Sequence, residues 1–225
     1  MIFIIIGNGY YLNLCINIEN TIMNIKNTGM KNSIKLPSFF LSVLLISLFS
    51  FQIATSQNYT LNNSASVLEV HGTSSLHDWT LETEKQSGKV VITNSETLEI
   101  SSLNISVVAE SLKSGKSAMD KNTFKALNTD DHKTIDFSLT SLKQVTKVSD
   151  QSFKISALGK LTISGVTKSI TIDMTVRLEG NKVFLDGEKS FKMTDFGIDP
   201  PKALLGTIKT GDEIKIEFKS VFEQK

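Results

Sequence analysis

A chain of 225 residues with 24 basic and 23 acidic side chains has a net charge of +1, which leaves no basic excess for nucleic acid or an anionic membrane. One cysteine, Cys15, and three histidines exclude a disulfide framework and make a weak case for a metal centre. Hydrophobic residues form 40% of the chain, enough for the packed core of one domain.

Residues 1–29 are rich in Ile and Asn and carry neither an amphipathic period nor helix caps, and the expected start of the protein is Met30. Residues 30–56 have the layout of a secretory signal peptide. Lys31 and Lys35 form a basic start, 39–51 is an apolar run broken only by serines, and Ala54 and Ser56 are the small residues a signal peptidase inspects. A core of about 13 residues is short of the ~20 that a spanning helix needs. The expectation is cleavage after Ser56, export to the periplasm or beyond, and no stable membrane insertion afterwards. Without Lys26, Lys31, Lys35 and Glu19, residues 57–225 keep 21 basic and 22 acidic side chains and no cysteine, so the domain must be held by its core alone.

Short alternations of apolar and polar residues at 67–73 and 79–84 predict the first strands, with Trp79 and Leu81 on one face. Residues 88–93 continue the second strand or begin a bent part of it. Leu103, Ile105, Val107 and Ala109 recur at every second position in the next strand, with Asn104 and Ser106 between the first three. The period then changes. Ser117 and Asp120 fit a capping box, and Met119, Thr123, Ala126 and Leu127 recur at helical spacing, predicting one helix over about 118–127. A charged loop at 128–133 leads to further strands carrying Ile135, Phe137 and Leu139, then Phe153, Ile155, Ala157, Leu161 and Ile163. Residues 159–178 form the clearest hairpin: Ile170, Ile172, Met174, Val176 and Leu178 occupy every second position after a Ser164-Gly165 turn. Val183, Leu185, Phe191 and Met193 mark the next strand, and Ile214, Ile216, Phe218 and Phe222 the last. Pro200 and Pro201 fall in a loop, where no ladder amide is lost.

About eight antiparallel strands, each with one apolar face, must pack on a second sheet or close on themselves. Sequential hairpins in the second half favour closure, which predicts an all-β barrel with one short inserted helix. Eight strands give an interior that side chains fill or that holds one elongated small ligand.

Three segments resemble the YceI-like proteins. They are Met119-Asp120-Lys121 with Phe124-Lys125-Ala126-Leu127 and Ile135-Asp136-Phe137-Ser138, the hairpin 159–168 (GKLTISGVTK), and 191–198 (FKMTDFGI). The resemblance spans 64–222 with the motifs in order. It implies an extended eight-stranded, lipocalin-like antiparallel barrel, exported, and associated with binding a polyisoprenoid or an isoprenoid quinone.

The inward faces supply a candidate ligand wall of Trp79, Leu81, Phe137, Phe153, Ile163, Ile172, Met174, Phe191 and Met193, with ordinary core packing as the competing reading for each. Long, flexible and aromatic side chains can leave a tunnel, and methionine adapts to an irregular ligand. His77 and Asp78 are candidates for a head-group contact at the barrel mouth, or simply for a turn. No nucleophile–base arrangement is present, so no catalytic residue and no enzyme activity are expected. Asp130, Asp131 and His132 are too few to hold a metal, and the expected sites include no metal ligand. No cofactor is expected beyond a bound isoprenoid lipid or quinone. The functional expectation is an exported carrier of an amphiphilic isoprenoid lipid; the alternative is a non-binding structural or stress-response barrel with a filled core.

Overall fold

The computed structural model describes residues 56–224, and the expectations for residues 1–29 and for the signal up to Thr55 lie outside them. Twelve strands and one α-helix follow in order: β1 (Gln57–Leu61), β2 (Val67–Ser74), β3 (Trp79–Thr83), β4 (Gln86–Asn94), β5 (Glu99–Val108), β6 (Leu112–Lys113), α1 (Ser117–Leu127), β7 (Thr134–Ser149), β8 (Ser152–Ile163), β9 (Val166–Glu179), β10 (Lys182–Lys192), β11 (Lys202–Ala203) and β12 (Ile208–Gln224).

Eight of the strands close into an antiparallel ring, β1–β4–β5–β7–β8–β9–β10–β12 and back to β1. Among the described residues, the predicted closed all-β barrel with a single short helix is therefore the observed fold. The extra strands arise where long strands are interrupted. β1 and β2 both pair with β12, and the break between them is a 3-10 turn at Asn63–Ala65, capped by Asn62 Oδ1, which accepts from the amides of Ser64 and Ala65. β3 bends into β4 after Thr83, as the pattern at 88–93 suggested. β5 passes into β6 through a 3-10 turn at Ala109–Ser111, and β6 pairs with β3.

The β8–β9 reversal uses two left-handed residues, Ser164 (φ 48°) and Gly165 (φ 78°), the backbone that a two-residue hairpin of right-handed twist requires. Its position also holds the helix. Ser164 Oγ donates to the Leu127 carbonyl at 2.9 Å, meeting one of the orphan acceptors at the helix end, and the His132 ring lies against Gly165.

One local expectation is corrected. Ser117 does not cap α1; the N-cap is Lys116 and has no side-chain bond. Asp120 instead turns back, its Oδ1 accepting from the Ser114 amide (2.8 Å) and hydroxyl (2.7 Å). The carboxylate thus ties the helix to the segment that leads into it, because Gly115 (φ 75°) reverses the chain and brings Ser114 within reach.

Candidate functional site

The barrel interior divides into two halves. In the half away from the helix, side chains fill the space: Tyr59, Val90, Phe153, Val176, Val183 and Phe222 are all under 5% exposed. In the half beneath α1 the walls enclose a cavity of about 420 Å³, within the range of small-molecule sites. The floor is one row across the sheet, Phe153↔Val176↔Leu185↔Ser220. Leu185 and Ser220 face the cavity, whereas Phe153 and Val176 are sealed below it.

Eight of the nine candidate wall residues meet in this cavity: Trp79, Leu81, Phe137, Ile163, Ile172, Met174, Phe191 and Met193. Phe153 does not, because its row lies at the floor and its side chain belongs to the packed half. Met193 reaches the cavity from a 3-10 turn, Met193–Phe196, and not from the end of β10 as the alternation suggested.

The space exists because several aromatic rings lie along the wall over inward-facing glycines. A β-carbon on Gly159 would come within 2.3 Å of the Phe137 ring, and one on Gly187 within 2.7 Å of Phe218 Cζ. With any larger residue at these positions the rings would be forced toward the barrel axis. The sequence keeps the period-two pattern and leaves out the side chain where a ring must lie flat.

The roof is α1. Met119, Thr123, Ala126 and Leu127 look down into the cavity, so the helical period that located this element also identifies its cavity face. Three further pieces frame the mouth: the start of the helix, the turn between β2 and β3, and the hairpin joining β11 to β12. Ser74 organises the turn, its hydroxyl donating to the His77 carbonyl at 2.7 Å and accepting from the amides of Leu76 and His77. Ser75 and Lys209 clip turn and hairpin together through Ser75 N to Lys209 O (2.9 Å) and Lys209 N to Ser75 Oγ (3.1 Å).

His77 lines the cavity mouth, its Nδ1 2.7 Å from the Asp78 carbonyl oxygen, while Asp78 is exposed and off the lining. The sequence pattern missed two residues there. Among the described residues, Lys116 and Lys202 are the lysines of the lining, and no Asp or Glu lines it. Both lie in irregular or two-residue segments, where periodicity gives no signal. The rest of the missed wall, including Ile214, Ile216 and Phe218, follows the alternation already visible in the last strand.

Among the described residues, the titratable side chains of the lining are His77, Lys116 and Lys202. The ionisable residues with displaced pKa values lie outside it. Hydrogen bonds from the Ser114 amide and hydroxyl hold Asp120 below the usual carboxylate range, and the Thr194 hydroxyl and amide do the same for Asp212. On the outer wall, Glu69, His71 and Glu217 form the one cluster of three candidate metal ligands among the described residues. His71 Nε2 lies 3.3 Å from Glu69, and its Nδ1 is 3.0 Å from Thr80 Oγ1. Lys215 pairs with Glu217, and the group reads as a surface ion-pair network.

A model of the YceI-like domain matches residues 59–222. Among solved structures, BcnA of Burkholderia cenocepacia superposes with a TM-score of 0.59 at 16% identity, covering 72% of this chain and 98% of that one. A polyisoprenoid binding domain from Saccharophagus degradans, implicated in plant cell wall breakdown, gives a TM-score of 0.59 at 14% identity, over 74% of this chain and 98% of its own. The Campylobacter jejuni YCEI protein gives a TM-score of 0.50 at 16% identity, over 64% and 83%. At these identities the likeness is one of fold. No curated protein sequence matches the chain.

Proposed function

The chain belongs to the YceI-like domain family, and from that premise we propose that it is an exported, non-enzymatic carrier that holds an amphiphilic isoprenoid lipid, a polyisoprenoid or an isoprenoid quinone, in the apolar half of its barrel. The observation that carries the reading is the cavity of about 420 Å³, roofed by α1 and walled by aliphatic, methionine and aromatic side chains. Its fold neighbour from Saccharophagus degradans, named as a polyisoprenoid binding domain, supports the same class of ligand. Each methylene moved from water into such a wall contributes about 0.8 kcal/mol, so solvent exclusion alone accounts for affinity. In this reading the tail points toward Leu185 and Ser220, and the head group stays at the mouth beside Lys116, Lys202 and His77. The closed floor favours a short prenyl chain, or the first units of a longer one. The layout of residues 30–56 supports export.

The test is to purify the protein from its native host, extract it with organic solvent and identify the extract by mass spectrometry. A prenyl lipid or quinone in near-stoichiometric amount is the expected result. Protein that is consistently empty, and that takes up neither class in vitro, would overturn the proposal.

A further inference from the structure

The mouth of the cavity is bordered by two loop tips that present leucine to water. Leu76, on the β2–β3 turn, is 67% exposed, and Leu205, at the tip of the β11–β12 hairpin, is fully exposed at 109%. The two loops are neighbours, clipped by the Ser75–Lys209 hydrogen bonds. Leu205 also has a left-handed backbone, φ 55°, a conformation that glycine or asparagine adopts at far lower cost. A leucine here is therefore unfavourable twice over: its side chain is buried nowhere and its backbone is strained. The hairpin reads KALLGTIK from 202 to 209, an uncharged tip bracketed by lysines, and Lys116 stands across the mouth at the start of α1. Along the two loops the nearest acids are Asp78, Asp199 and Asp212, the last engaged by the Thr194 amide and hydroxyl, against Lys116, Lys202 and Lys209.

We propose that this rim is a membrane-docking surface: Leu76 and Leu205 enter the interface of an anionic lipid bilayer while Lys116, Lys202 and Lys209 contact its head groups, placing the cavity mouth against the membrane. The proposal rests on the lipid-carrier reading and adds the surface with which the carrier exchanges its ligand. The near-neutral balance of residues 57–225, 21 basic against 22 acidic side chains, does not conflict with it, because attraction to a surface depends on charges within a Debye length of it. Apolar tips and nearby lysines are the two components of reversible interfacial binding, and each lysine near an anionic surface strengthens it about fivefold. Leu76 and Lys202 belong both to the rim and to the cavity lining, so a lipid leaving the bilayer there would meet the cavity wall without crossing water.

Co-sedimentation of the purified protein with vesicles of phosphatidylglycerol and phosphatidylcholine (1:1), and with vesicles of phosphatidylcholine alone, tests the inference. Leu205→Gly and Lys209→Glu are the informative variants, since neither residue lines the cavity. The expected results are binding to the anionic vesicles that weakens at high salt, and a drop of about fivefold or more in each variant. Leu205→Gly should melt at the same temperature as the parent or higher, which separates lost docking from lost folding. Both variants should still take up a prenyl lipid from detergent micelles. Parent-like vesicle binding by both variants, or no binding of the parent to anionic vesicles, overturns the docking surface and leaves the carrier reading intact. Failure of the parent to take up prenyl lipid, with vesicle binding still sensitive to Leu205, overturns the carrier reading and retains the docking surface.

Discussion

The indole of Trp79 lies over the α-carbon of Gly72, its direct cross-strand partner: a β-carbon at Gly72 would sit 2.1 Å from Trp79 Cζ2. The Trp79 Nε1–H is satisfied by the Thr73 carbonyl at 2.9 Å, so the ring is held flat against the wall at both edges. Replacing Gly72 by Ala must lift the ring toward the cavity. The expected outcome is a shift in tryptophan emission, prenyl-lipid affinity reduced about tenfold, and a stability loss of about 1–3 kcal/mol from overpacking, read by fluorescence titration and urea unfolding.

Two substitutions at different depths separate an open cavity from a filled core. Met174→Trp should cost less than about 1 kcal/mol, because the ring enters existing space, and should abolish ligand uptake; in a filled core it would cost about 1–3 kcal/mol. Phe153→Ala, below the floor, should destabilise by about 3–5 kcal/mol and leave uptake in the surviving folded protein. Urea unfolding and uptake measured on the same preparations check both.

The lysines at the mouth should distinguish head groups. The double substitution Lys116→Ala with Lys202→Ala is expected to weaken binding of a prenyl phosphate about tenfold, as two partly exposed ion pairs would. The prenyl alcohol of equal length should change by less than about twofold, since its tail contacts are untouched. Competition titrations with the two lipids give the ratio directly.

Acid should loosen the helix through Asp120. The Ser114 bonds lower its pKa in the folded protein, so its contribution is fully present above the ordinary aspartate value near 4 and is lost as pH falls through the depressed folded value. Relative to Asp120→Asn, the parent should be more stable by about 1–2 kcal/mol at pH 6, with the difference shrinking as the pH falls below the ordinary aspartate value near 4 and vanishing once the folded carboxylate is protonated. Denaturant unfolding of both proteins across that range is the measurement. Using the difference between them cancels Asp212, which shifts in the same direction.

The barrel and most of its cavity wall were readable because alternation with period two is a direct consequence of strand geometry. Ile163, Ile172 and Met174 could be placed on one face with no knowledge of the strand partners. The depth of Phe153 could not. Period two assigns a face but not a level along the barrel axis, and level is set by the cross-strand row Phe153↔Val176↔Leu185. Lys116 and Lys202 were missed for a different reason. They flank the ends of elements, and their approach to one mouth depends on how α1 and the β11–β12 hairpin fold over the strands. The capping pattern at Ser117 misled because Asp120 had a stronger local partner in Ser114, reachable only through the left-handed Gly115.

Trp79 is the only tryptophan in the chain and it stands in the cavity wall, so its emission reports occupancy of the proposed site with no added label. Titration with a short-chain isoprenoid quinone, a strong quencher, and with a prenyl alcohol of matching length addresses the central claim most directly. The expected result is saturable quenching by the quinone at one ligand per protein, reversed by the prenyl alcohol. Quenching that rises linearly without saturation, and that the prenyl alcohol leaves unchanged, would contradict a lipid site in the barrel.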